Sequence, residues 1–72
     1  MASQTFGEQL RELREAANLS QKKLGELAGI EQNHISSYEN GRKYPNLATF
    51  NALVAALRLT SKERLDLLAL VQ

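Results

Sequence analysis

Between Gln21 and Asn40 the chain reads QKKLGELAGIEQNHISSYEN, and no other segment restricts its folding as much. Leu24, Leu27 and Ala28 recur at helical spacing, as do Ile35 and Tyr38, so two short helices are expected, each with one apolar stripe to bury. Gly29 stands between them, where the absence of a Cβ permits a left-handed turn. Gly25, inside the first helix, costs about 0.5 to 1 kcal/mol relative to alanine. That cost makes sense if bare backbone lets the second helix cross closely. Gly25, Gly29 and Ile35 therefore agree on two helices crossing at a fixed angle, the spacing of a helix-turn-helix.

The flanks supply three more helices. Thr5 and Glu8 form a candidate capping box, after which Phe6, Leu10, Leu13 and Ala17 share one face up to Asn18. Ser20 can cap the second helix, Gly41 can stop the third, and Asn46, just after Pro45, can cap a fourth with apolar positions Leu47, Phe50, Leu53, Val54 and Leu57. Thr60 and Glu63 make a second capping box for a fifth. The expectation is one all-α domain over residues 1–72, a five-helix bundle with helices at about 5–18, 20–28, 32–40, 46–57 and 61–71.

Composition narrows the function classes. A chain of 72 residues supports one core near the lower limit of independent folding, and with no cysteine that core has neither disulfide nor thiolate metal site to help it. No apolar run is long enough to span a bilayer, and Met1–Phe6 lacks the charge and apolar block of a signal peptide, so a cytoplasmic, membrane-free protein is expected. His34 is the only histidine and has no partner for metal ligation. Glu8, Glu12 and Glu15, with Arg11 interleaved, read as a charged outer face rather than an acid–base pair. No enzyme activity, cofactor, metal or small-molecule ligand is expected. Net charge is only +1, so an affinity for nucleic acid has to come from where the charges sit.

From Phe6 to about Leu57 the chain resembles the DNA-binding domain of the phage repressor and Cro type, the XRE family. The matching words are Leu10-Arg11-Glu12-Leu13-Arg14, Leu19-Ser20-Gln21, Leu24-Gly25-Glu26-Leu27-Ala28-Gly29-Ile30, Ile35-Ser36, Tyr38-Glu39-Asn40-Gly41-Arg42, and Pro45 before helix four. The resemblance implies the lambda-repressor-like fold and a transcriptional regulator, a repressor before an activator, that sets its third helix in the major groove of double-stranded DNA. It implies that Gln21 holds a phosphate and that Gln32, Asn33 and Ser37 face base edges, where glutamine or asparagine suits adenine. Asn40, Arg42 and Lys43 fall where the family's loop meets the backbone, and Lys22 or Lys23 can add a phosphate contact. Arg14 and Glu39 match a pair that fixes the third helix without touching DNA. Glu31 departs from the serine or threonine that commonly caps that helix, and its exposed part carries no lysine or arginine for guanine.

The fifth helix carries Leu65, Leu67, Leu68, Leu70 and Val71, a wider band than one stripe needs. One reading has Leu65 and Leu68 closing the core while the rest fray; the other makes Leu67, Leu70 and Val71 the interface of a homodimer bound to a palindromic operator. Tyr38 is expected in the core, and Tyr44 is expected to pack against Pro45, with a bond to phosphate as the alternative. The competing function class is an antitoxin or co-activator module that uses the same fold to bind a protein.

Overall fold

The computed structural model describes residues 4–71; residues 1–3, which open the Met1–Phe6 stretch, and Gln72 lie outside it. Five helices follow one another: α1 (Phe6–Ala16), α2 (Gln21–Ala28), α3 (Gln32–Glu39), α4 (Leu47–Leu57) and α5 (Ser61–Leu68). Each expected helix is present, with the first and last shorter than their sequence pattern suggested. Asn18 turns left-handed (φ 59°) and ends α1 early, while the residues after Leu68 continue as a turn.

Local chemistry accounts for the starts. Thr5 Oγ1 accepts from the Glu8 amide at 3.2 Å while Glu8 returns the bond to the Thr5 amide at 3.0 Å, and Thr60 with Glu63 repeats the arrangement. Ser20 Oγ accepts from the Lys23 amide and Asn46 Oδ1 from the Thr49 amide, at 3.0 and 2.8 Å. Each cap satisfies an amide that the helix cannot and contributes about 1 kcal/mol. Glu31 begins α3 without a side-chain cap, its carboxylate lying 3.5 Å from His34 Nε2 instead.

The core is Phe6, Leu10, Leu24, Ile35, Tyr38, Phe50, Leu53, Leu57 and Leu67. Two glycines set its geometry. A Cβ on Gly25 would stand 2.4 Å from the Ile30 carbonyl oxygen, so the close approach inferred from sequence is real, but it is the turn into α3 that passes there. A Cβ on Gly7 would lie 2.3 and 2.6 Å from the carbonyl oxygens of Glu39 and Tyr38, which seats the start of α1 directly on the end of α3. Gly29 (φ 70°) caps α2, as expected, and meets nothing a side chain would hit.

Several leucines sit elsewhere than their spacing suggested. Leu67 is fully buried within its own chain, so it cannot belong to a dimer interface, whereas Leu65 is 59% exposed instead of closing the core. Leucines at positions 65, 67, 68 and 70 occupy more than one helical face, so the pattern leaves the register open. Packing resolves it by burying Leu67 with Leu68 partly buried beside it, while Leu70 and Val71 pack on the core beyond the helix and the Arg64 guanidinium lies 5.9 Å from the Phe50 ring centroid. Leu27 and Leu47 are likewise exposed, at 53% and 63%: Leu24 fills the α2 slot, and the α4 stripe begins inward at Phe50.

Candidate nucleic-acid interface

The exposed side of the α2–α3 pair is held in place by one buried carboxylate. Glu39, the last residue of α3, is 6% exposed. Arg14 donates to it twice, Nε to Oε2 at 2.7 Å and Nη2 to Oε1 at 3.2 Å, while Nη1 reaches the Leu19 carbonyl at 2.8 Å. Arg11 Nε adds 3.3 Å and Gln21 Nε2 3.0 Å, both to Oε1. Burial pushes the Glu39 carboxyl up, but the bonds from Arg14, Gln21 and Arg11 and the Arg14 charge outweigh it and leave it below the ordinary glutamate value. Arg14 is pushed further up by its bond to Glu39, against the opposing effect of burial. The Arg14–Glu39 pair expected from the resemblance thus joins α1 to α3. Arg11, read from the sequence as part of a solvated face, is a second partner; its position three residues before Arg14 on the same face was the available signal.

Around this anchor the sequence-predicted contact residues divide into groups. Gln21, Gln32, Asn33, Ser36, Ser37 and Arg42 line a single open depression along α3. Gln32, Asn33 and Arg42 are exposed and Ser37 half-exposed, and the Arg42 amide bonds the Ser37 carbonyl at 2.9 Å, which draws the basic loop back onto the helix. Asn40 lies at the edge of this group, its Nδ2 donating to Ser36 Oγ at 3.3 Å. Lys22 borders the adjoining hollow with Gln32 and Glu31. Lys23 points to solvent 4.0 Å from Glu26 Oε1.

Lys43 goes elsewhere. Its ammonium contacts His34 Nδ1 and lies 5.6 Å from the Tyr38 ring centroid, in a hollow shared with Tyr44, Asn46 and Thr49 on the α4 side of α3. Tyr38 is in the core, as its spacing implied. Tyr44 packs edge-on against Phe6 at 5.8 Å between ring centroids and stays half-exposed. Leu70 and Val71 are partly buried against the core beyond α5.

The arrangement presents short amide and hydroxyl groups flanked by cations on one helix face, a surface able to hydrogen-bond base edges between phosphate contacts. No helix is long and apolar enough to cross a membrane, and no cluster among the described residues could hold a metal ion.

Known proteins show the same frame. A family profile described as a helix-turn-helix domain matches residues 5–68. The HTH-type transcriptional regulator RghRB of Bacillus subtilis is 44% identical over 55 residues, covering 75% of this chain and 40% of the relative. The HTH-type transcriptional repressor RghR of the same organism is 40% identical over 57 residues (78% and 42%), and the HTH-type transcriptional activator BcrR of Enterococcus faecalis 33% over 61 (85% and 30%). The chain thus spans less than half the length of these curated relatives. Among solved structures, the restriction-modification controller protein C.AhdI from Aeromonas hydrophila superposes with a TM-score of 0.77 at 36% identity, over 82% of this chain and 89% of that one. The DNA-binding domain of the P22 c2 repressor gives 0.80 at 31%, over 90% and 86%. With the glycine-hinged α2–α3 pair on a five-helix frame and a profile match over nearly its whole length, the chain belongs to the helix-turn-helix domain family, in its phage-repressor-like branch.

Proposed function

We propose that the chain binds double-stranded DNA sequence-specifically as a transcriptional regulator, with α3 in the major groove. The observation that carries this reading is the clustering of Gln21, Gln32, Asn33, Ser37 and Arg42 on one open face, with the Gln21 amide bonded to the buried Glu39 carboxylate behind it. Gln32, Asn33 and Ser37 read base edges; Gln21, Lys22, Lys23, Asn40, Arg42 and Lys43 meet phosphates. Lys43 must leave His34 to do so. Action in the cytoplasm and no catalytic step complete the reading. Repression is favoured by RghR and the P22 c2 protein, both named repressors, although BcrR is an activator.

A homodimer on a palindromic operator is part of the proposal, its surface now Leu65 with the edges of Leu70 and Val71 in place of Leu67. Two reading helices then address half-sites about 34 Å apart. Selection of bound sites from random duplexes tests both parts: palindromic half-sites one helical turn apart are expected. Enrichment of no sequence would replace this reading with the protein-interaction module. On the selected site, Gln32→Ala or Asn33→Ala is expected to cost about 1 to 3 kcal/mol, with a smaller loss on random DNA, measured by fluorescence anisotropy.

A further inference from the structure

Glu39 does more than close an ion pair. Its Oε1 accepts from Gln21 Nε2 at 3.0 Å, and the two arginines on the same carboxylate fix where that acceptor stands. A carboxylate held ionised only accepts, so the atom of the Gln21 amide that faces it must be nitrogen. The amide is left with one N–H and its carbonyl oxygen to offer elsewhere. Gln21 also lines the depression with Gln32, Asn33, Ser37 and Arg42.

A free glutamine samples several rotamers and both amide orientations, and ordering it on contact with a ligand weakens binding. Here the bond to Glu39 already restrains the Gln21 amide in the folded protein. Glu39 ends α3, at the opposite end from Gln32 and Asn33, so the group that orients Gln21 stands apart from the base-reading positions. We propose that Glu39 is a positioning residue for Gln21, turning its amide so that a single N–H and the carbonyl oxygen face the groove where a DNA strand lies against the start of α2. The inference rests on the DNA reading above.

The test is a double-mutant cycle on a duplex recovered by random-site selection, with thermal melts of every variant. Gln21→Met and Glu39→Gln are each expected to weaken binding roughly tenfold. The double variant should bind no more weakly than Gln21→Met, while Glu39→Gln lowers Tm in both backgrounds. A merely structural Glu39 gives instead a further loss of affinity in the Gln21→Met background, or no loss in either, and overturns the proposal.

If Glu39→Gln does not fold, side-chain amide NMR on the unmodified chain decides. One Gln21 amide proton should exchange with water more slowly than those of Gln32, and the Gln21 amide shifts should follow the same titration midpoint as the Glu39 carboxyl carbon. Gln21 protons exchanging as fast as those of Gln32 overturn the orientation. Protected Gln21 protons in a protein that retains no duplex remove the DNA reading, and the role with it.

Discussion

Taking the guanidinium from Arg14 leaves Glu39 in the core with only Arg11 and Gln21, and leaves the Leu19 carbonyl without its donor. Because the Glu39 side chain has no exposed surface, Arg14→Met is expected to cost about 3 to 5 kcal/mol, read as a fall in the urea midpoint. Arg11→Met should cost much less, since that side chain is half-exposed and its bond longer. The pH dependence has a definite sign. A carboxyl held below its ordinary value when folded stabilises above that value, about 4.3, and the contribution is lost as pH falls through the folded value. Melting temperature should therefore drop with acid from roughly pH 4 downward, and the acid limb should be much shallower in Glu39→Gln.

The helix pair makes its own demand, and its two glycines make it for different reasons. Gly25→Ala pushes a methyl into the Ile30 carbonyl, so despite the helix-forming gain it is expected to cost about 1 to 3 kcal/mol. Gly29→Ala meets no atom but forces a side chain into the left-handed region, at about 1 to 2 kcal/mol. Asparagine tolerates that conformation, so Gly29→Asn should recover most of the loss while Gly25→Asn recovers none, in the same melts. Both glycines were legible in the sequence, as were all five helices, because caps and turn residues act locally. The tertiary partners were not. Nothing near Gly7 in sequence says that it meets Glu39, and nothing near Gln21 says that its amide is already engaged. A leucine-rich α5 has no single face until α1 and α4 choose one, which is why Leu67 went to the core and Leu65 to solvent.

Across the whole molecule the near-zero net charge hides a local asymmetry that salt can measure. If Lys22, Lys23, Arg42 and Lys43 each neutralise one phosphate, log affinity against log salt should fall with a slope of about −3.6 per half-site, roughly a hundredfold for each half-site between about 50 and 200 mM. Lys22→Ala should flatten that slope by about 0.9 with little change in site preference. A different kind of consequence follows from the seam where Gly7 meets the end of α3. Every residue it needs is in place once the chain has been made as far as Glu39, yet the core it borders is not filled until Leu67 arrives from α5. At usual synthesis rates that interval is roughly 1 to 5 s, during which α3, the helix proposed to face DNA, has no finished interior behind it. A chain stopped before Leu67 never leaves that interval, and we expect it to be cleared by proteolysis rather than to persist as a shorter binder.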